Sequence, residues 1–158
     1  MIFITLGSQK FQFNRLLIAV DELVEKGIIK EDIFAQIGYS DYSPKHYNYV
    51  RFLNREEFEE MESKADKVIT HGGTGAIIGA VKKGKKVIAV PRLSYYREHV
   101  DDHQLQLINQ FKNMNLICGL TDCSEIKWAL DYVNEHVFES YVSNTEEIIR
   151  SIERFIVA

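Results

Sequence analysis

Short apolar runs alternate with segments that repeat apolar residues at helical spacing. Residues 2–6 form a β-rich apolar run that stops at Gly7, which predicts a buried strand. Apolar residues then recur every three or four positions from Phe13 to Val24, and Gly27 ends that helical pattern. The same reading predicts further strands at 33–37, 49–53, 67–70, 86–90 and 116–119, and helices near 55–65, 75–83, 101–113, 122–137 and 143–157.

Strands that alternate with helices indicate βαβ units and therefore a parallel sheet. We expect an α/β fold: a doubly wound, open, mainly parallel six-stranded sheet with helices on both faces. No repeat, low-complexity segment or linker interrupts the chain, so residues 1–158 are interpreted as a single domain. In such sheets, ligands bind beyond the carboxyl ends of the strands, which directs attention to the loops at those ends.

The most informative motif is residues 71–75, which join a predicted strand to a predicted helix. The motif reads His71-Gly72-Gly73-Thr74-Gly75. Glycine lets an anion approach the backbone, and free N–H groups with the helix dipole favour a phosphate there. The spacing is neither GxGxxG nor a P-loop. The alternative interpretation is a tight turn that contains a buried, purely structural His71.

A second polar stretch, residues 98–104, follows the fifth predicted strand. Asp101 or Asp102 is suited to capping the next helix. His99 and His103 are four residues apart, which resembles metal-ligand spacing, but no third ligand is evident nearby. We favour a polar rim whose carboxylates, amide and imidazoles bind sugar hydroxyls, and we expect no metal and no cofactor.

The first loop, at Gly7 and Ser8, faces the glycine motif if both follow neighbouring strands. Arg15, one turn into the next helix, is either a phosphate partner or a solvated charge, and we favour the solvated charge.

Composition narrows the function classes further. Net charge is −4, which argues against a nucleic-acid binder that works by phosphate neutralisation. No signal peptide or membrane-length apolar run is visible, and the two cysteines are interpreted as free thiols in a reducing cytosol. We therefore expect a soluble, cytoplasmic protein that reaches a membrane only through a partner.

Five sequence blocks in this order resemble the carboxy-terminal domain of family 28 glycosyltransferases. They are residues 2–8, 13–16, 65–75, 84–92 and 99–104, and the resemblance spans almost the whole chain. More narrowly, the chain is similar to stand-alone donor-binding subunits of split glycosyltransferases. These include bacterial capsule and exopolysaccharide β-1,4-galactosyltransferase subunits and the eukaryotic subunit that adds the second N-acetylglucosamine to a dolichol-linked sugar. The segments 91–93 and 98–104 favour the bacterial branch.

The resemblance implies the Rossmann-like, donor-binding half of a GT-B enzyme. The other half would be a separate, membrane-anchored subunit that binds a lipid-linked saccharide acceptor. The implied function is inverting transfer of a hexose, galactose in our interpretation, from a UDP-sugar in polysaccharide synthesis. The alternatives are a UDP-N-acetylglucosamine transferase subunit and a non-catalytic accessory partner that binds a nucleotide sugar. An epimerase fragment on the same kind of sheet is a further alternative, and that chemistry needs both halves.

The resemblance also assigns roles to residues of this chain. His71, Gly72, Gly73, Thr74 and Gly75 would bind the diphosphate, with Gly7 and Ser8 opposite. Phe52 and Leu53 would place backbone groups near the uracil. Asp102, His103 and Gln104 would form the polar rim around the donor sugar, of which His103 and Gln104 would meet its hydroxyls.

One departure from the family pattern and one further gap leave roles unassigned. Many relatives carry a ribose-binding glutamate where this chain has Gly79, so ribose recognition must come from elsewhere, with Glu98 as a candidate. The general base is also unknown, and His99, Glu98 and Asp101 are the candidates here. Partner-binding candidates are the tyrosines of residues 39–49 and Tyr95 with Tyr96, for which ordinary half-buried loop tyrosines are the alternative. The last helix, 143–157, is a further candidate, but we favour its packing on its own sheet.

Overall fold

The computed structural model describes residues 1–142, 147–148, 150–151 and 154. Its centre is a six-stranded sheet in the order β3-β2-β1-β4-β5-β6, in which every pairing is parallel. The strands are β1 (Ile2–Thr5), β2 (Ile33–Gln36), β3 (Asn48–Val50), β4 (Lys67–Thr70), β5 (Lys86–Ala89) and β6 (Cys118–Gly119). The predicted fold class is confirmed.

Within residues 1–142, five α-helices cover the two faces of this sheet. They are α1 (Asn14–Glu25), α2 (Arg55–Lys64), α3 (Thr74–Lys82), α4 (His103–Asn113) and α5 (Ile126–Glu135). Helices α1 and α5 pack with Ile2, Ile4 and other residues on one face, while α2, α3 and α4 pack with Phe3 and Val68 on the opposite face. Because alternate side chains of β1 enter different cores, its apolar run is continuous.

The strand order reverses direction at β1. From β1 the chain proceeds outward to β2 and β3, and it then crosses back through α2 to β4 on the other side of β1. The loops after β1 and β4 therefore diverge from adjacent strands and leave a crevice between them. This crevice contains Gly7 and the glycine motif.

Several predicted boundaries were wrong. The third strand, predicted at 49–53, ends at Val50, so Phe52 and Leu53 lie beyond the sheet. Helix α4 begins at His103 rather than at residue 101. Helix α5 ends at Glu135, and Val137 is exposed rather than inward. Most of the predicted last helix, with Ile152, Phe155 and Ile156, lies outside the described residues.

The tyrosine-rich segment between β2 and β3 is partly structural. The buried Asp21 carboxylate of α1 accepts hydrogen bonds from the Tyr42 hydroxyl and from the backbone N–H groups of Lys45 and His46. The Tyr47 hydroxyl donates to Leu17 O at 2.9 Å. Of the tyrosines predicted to meet a partner in this segment, Tyr39 and Tyr49 are the exposed ones.

Candidate functional site

His71, the first residue after β4, is buried between two glycines. A Cβ at Gly7 would lie 2.8 Å from its Cε1, and a Cβ at Gly73 would collide with its Nε2. Gly7 also has a φ of +74°, which disfavours any residue with a side chain. Packing around a buried imidazole therefore explains both glycines.

The His71 ring is neutral and has a defined tautomer. Burial, followed by the nearby charge of Arg92, lowers the pKa of His71 to about 3. Its Nδ1 lies 3.2 Å from Thr70 Oγ1, whose proton is donated to Thr5 O at 2.8 Å. Nδ1 therefore carries the ring proton and Nε2 keeps its lone pair. Nε2 donates a hydrogen bond to a phosphate oxygen only after it has taken up a proton itself.

Gly72 is fixed by the start of α4. A Cβ at Gly72 would collide with Gln104 Cβ and lie 2.9 Å from Gln104 Cα. The Oε1 atom of the buried Gln104 accepts hydrogen bonds from Gly72 N at 3.3 Å and from Arg92 N at 3.1 Å. One amide oxygen thereby joins the loops after β4 and β5, and a contact of Gln104 with the donor sugar stays a prediction.

The start of α3 differs from these packed positions. Gly73 is its N-cap residue and provides no side-chain cap hydrogen bond to the first-turn N–H groups from Thr74 onward. A Cβ at Gly75 would meet no atom within 4 Å. Packing within the described residues therefore does not require Gly75, and its bare backbone leaves room for an anion at the positive end of the helix.

A cleft of about 790 Å³ runs from this helix start towards α2. Its volume is within the usual range for small-molecule sites. Gly7 and Ser8 line one end, and Gly75, Ala76 and Gly79 form the wall contributed by α3. The remaining wall comes from the ends of β1 and β2 and from α2 with the segment before it, which includes Gln36, Leu53, Asn54, Phe58 and Glu62.

Of the two residues predicted near a base, only Leu53 lines this cleft. Its backbone N–H donates to Gln36 Oε1 at 2.9 Å, which fixes the chain as it leaves β3. Phe52 is half exposed and packs edge to face against Tyr39, with ring centroids 5.1 Å apart. The two rings form an apolar surface beside the crevice.

Glu98 is paired inside the protein and does not line this cleft. Its two carboxylate oxygens each accept from the Arg15 guanidinium at 3.1 Å, and Oε1 also accepts from Leu93 N. Arg15 continues to Asp122 Oδ1 at 2.8 Å and packs over the ring of Tyr96. The interpretation of Arg15 as a solvated charge is therefore wrong, because only 18% of its side chain is exposed. The donor-binding and catalytic roles of Glu98 stay predictions.

The other polar residues of this loop also contact one another. The Asp101 carboxylate lies 3.2 Å from His99 Nδ1 and 3.4 Å from His103 Nδ1. Asp102 is at the N-cap of α4, but its Oδ1 accepts from Ser94 N and Ser94 Oγ rather than from the helix. The described part of the chain contains no cluster of three or more residues that could hold a metal ion.

Arg92, the third residue after β5, is a residue that sequence reasoning did not single out. It is 1% exposed, and its Nη2 donates to Leu6 O at 2.8 Å and to Phe11 O at 3.1 Å. Burial lowers its pKa to about 10, so it remains a cation at neutral pH. Among the described residues, its Nε and Nη1 have no hydrogen-bond partner. This buried positive charge lies against the first loop and favours an anion at the crevice.

These observations define the class of protein: a doubly wound α/β domain whose switch-point crevice contains a helix start without a side-chain cap. The chain belongs to the glycosyltransferase family 28 C-terminal domain family, whose sequence profile matches residues 1–152. It is 30% identical over 92 residues to the UDP-N-acetylglucosamine transferase subunit ALG13 of Yarrowia lipolytica (strain CLIB 122 / E 150). That match covers 57% of this chain and 45% of the relative, so the chain spans under half of that protein.

Solved structures support the same architecture. The NMR solution structure of ALG13 superposes with a TM-score of 0.64 at 16% identity, covering 99% of this chain and 96% of that one. The calicheamicin glycosyltransferase CalG4 gives a TM-score of 0.59 at 16% identity, with 99% of this chain covering 39% of that structure. The kitacinnamycin glycosyltransferase gives 0.60 at 14% identity and the same coverage. At these identities the likeness shows the fold. No helix in the described ranges is long and apolar enough to cross a membrane.

Proposed function

We propose that this chain is the donor-binding, catalytic subunit of a two-component inverting glycosyltransferase that uses UDP-N-acetylglucosamine. The supporting observation is its 30% identity to a protein named as a UDP-N-acetylglucosamine transferase subunit, within a family whose profile covers nearly the whole chain. The open start of α3 and the buried Arg92 charge support the proposal, because both favour an anion such as a diphosphate.

The comparisons favour N-acetylglucosamine over the galactose expected from the sequence. The relative named in the sequence comparison uses UDP-N-acetylglucosamine, and none of the reported matches is a capsule galactosyltransferase. UDP-galactose therefore enters the proposal as the competing donor that the binding experiment must exclude.

The proposed partner is a membrane-anchored subunit that binds a lipid-linked saccharide and recruits this chain to the cytoplasmic face of a membrane. The word subunit in the name of the matched protein supports a partner. In the crevice region, exposed Tyr39, Phe52 and Tyr95 provide aromatic surface of the kind that interfaces favour.

The proposed chemistry needs no metal. Transfer would leave UDP with a new negative charge on its terminal phosphate, and that charge can be stabilised by fixed N–H groups and a helix dipole. The first turn of α3 would supply these donors, and the Arg92 cation would add to the local potential. The general base would come from the partner or from His99 or Asp101 in the loop before α4.

Isothermal titration of the purified chain with UDP, UDP-N-acetylglucosamine and UDP-galactose tests the proposal, each ligand with Mg²⁺ and with EDTA. We expect UDP to bind equally in both conditions and UDP-N-acetylglucosamine to bind more tightly than UDP-galactose. No binding at millimolar UDP would contradict the proposal. Tighter binding of UDP-galactose would instead favour galactose, the donor sugar that the sequence analysis expected.

A transfer assay with the assembled complex distinguishes a catalytic subunit from an accessory one. Gly75→Val fills the open space at the start of α3, and Ser124→Ala, in the exposed turn before α5, is the control. We expect loss of transfer in the first variant alone. If transfer persists after UDP binding to this chain is lost, the chain is an accessory partner.

A further inference from the structure

Glu62 is a buried acid on the cleft side of α2, four residues after Phe58. Only 2% of its surface is exposed, although the rest of α2 is rich in exposed charged side chains. It lines the 790 Å³ cleft, opposite the helix face made by Gly75, Ala76 and Gly79. A buried carboxylate that faces a cleft needs an explanation, because charged side chains are rarely buried without partners.

Only one of its two oxygens has a partner. Oε1 lies 2.9 Å from Lys83 Nζ, whose side chain is one-third exposed. Oε2 is fully buried and has no hydrogen-bond partner among the described residues. Lys83 therefore fixes the carboxylate while leaving an acceptor unused, and an unpaired buried acceptor is costly unless a ligand or a water donates to it.

The facing side of α3 leaves space for this carboxylate. A Cβ at Gly79 would be in ordinary contact with Glu62 Oε1, at 3.9 Å. The Glu62 carboxylate therefore lies next to the Gly79 position of α3, and a side chain larger than a methyl group at position 79 would compete with it for space. Gly79 is one turn beyond Gly75, and four residues of helix correspond to about 6 Å.

We propose that Glu62 is the ribose-binding residue of the nucleotide site and accepts a hydrogen bond from the ribose diol. This inference rests on the proposed function. A carboxylate repels phosphate but accepts from hydroxyl groups, and a vicinal diol offers two donors. With the diphosphate at the start of α3, a spacing of about 6 Å along the helix corresponds to the 5′-methylene and the ribose ring. An acid that accepts from a ribose hydroxyl is a general solution in doubly wound folds.

The test compares UDP with 2′-deoxy-UDP and 3′-deoxy-UDP by isothermal titration in two variants. We expect the wild-type chain to prefer UDP over at least one deoxy analogue by about tenfold, which equals about 1.4 kcal/mol. Glu62→Gln keeps the shape and should reduce that preference to about twofold, with affinity for the deoxy analogue unchanged. Glu60→Gln is the matched control, because Glu60 is on the same helix and pairs with a lysine, Lys64, but is exposed and does not line the cleft.

The outcomes separate this inference from the proposed function. No UDP binding by the wild-type chain overturns both. If the wild-type chain binds UDP and both deoxy analogues equally well, the role of Glu62 is overturned while the proposed function stands. This outcome is already visible in the wild-type chain. An equal preference in wild type and Glu62→Gln does the same.

A double variant that moves the acidic residue from α2 to α3 provides a second test. Position 79 faces the same volume, so the double variant Glu62→Ala with Gly79→Glu should regain part of the preference that Glu62→Ala loses. Recovery of ribose preference without a change in melting temperature supports a ligand contact. Recovery of melting temperature without ribose preference identifies a structural role and contradicts the proposal.

Discussion

The loops after β4 and β5 both carry polar residues at the edge of the crevice, but they use them differently. In the loop after β5, Glu98 binds Arg15, Asp102 binds Ser94 and Asp101 lies between two imidazoles. After β4, the first turn of α3 has no side-chain cap and Gly75 has empty space around it. The sequence alone predicted donor contacts from both loops.

The difference identifies where a ligand is needed. Polar groups that satisfy one another build a rigid wall and gain little from a ligand, whereas uncapped donors and an unpaired acceptor are satisfied only when something binds. We therefore expect residues 98–102 of the β5 loop to determine stability and the α3 start, with Glu62, to determine nucleotide affinity.

The largest expected effect comes from Glu98→Gln. Loss of its charge leaves the Arg15 guanidinium against a neutral amide, and breaking a buried pair costs about 3–5 kcal/mol. We expect about 3 kcal/mol because Arg15 keeps Asp122. Urea unfolding measures the loss, and UDP affinity of the folded protein should change less than twofold. Asp102→Asn, at an exposed position, is the control. A stable Glu98→Gln variant that no longer binds UDP would contradict the comparison.

The next effect is the pH dependence contributed by His71. Its pKa is about 3 in the folded protein against 6.5 in the unfolded chain, so the unfolded state binds more protons between these values. Stability should therefore fall as pH drops below 6.5, by about 2 kcal/mol between pH 7 and pH 5. Urea unfolding at pH 7, 6 and 5 should show this slope in wild type and in His103→Gln. His71→Gln should lack it, and an equal slope in that variant would show that another group is responsible.

The smallest effect separates two glycines of one motif. Gly72→Ala introduces a methyl group against Gln104 and should lower stability by at least about 1 kcal/mol. Gly75→Ala meets nothing and should leave the melting temperature unchanged or higher. Its UDP affinity should nevertheless fall about tenfold, or about 1.4 kcal/mol. Calorimetry on both variants measures each quantity, and equal UDP affinity in Gly75→Ala and wild type would show that the open space is not used.

The fold was predictable because it depends on periodicity. Continuous apolar runs such as residues 2–6 predict strands buried on both faces, and the alternation with helices fixes a parallel sheet. The third strand was placed too late because Phe52 and Leu53 are apolar yet lie beyond the sheet. Apolar residues exposed at a crevice have the same local pattern as residues of a strand.

The part of the candidate site that could be predicted from the sequence is the glycine motif after β4. Gly72, Gly73 and Gly75 are identical in sequence but differ in their surroundings. Only the three-dimensional contacts show that Gly72 and Gly73 pack against other side chains, whereas Gly75 faces open space. Arg15 and Glu98 are 83 residues apart, so no local pattern pairs them. Glu62 had one local signal: it is four residues after Phe58 and three before Ala65, which places it on the inward side of a helix.

The hydrogen bonds of Gln104 allow opening of the crevice to be followed by hydrogen exchange. Its single Oε1 atom accepts the amide protons of Gly72 and Arg92, which lie beyond the ends of β4 and β5. Both protons become available to solvent deuterium when one side chain moves, without unfolding of either strand. The two amides should show a common protection factor, and Gln104→Ala should lower it for both together, so opening of the crevice can be followed in the free protein.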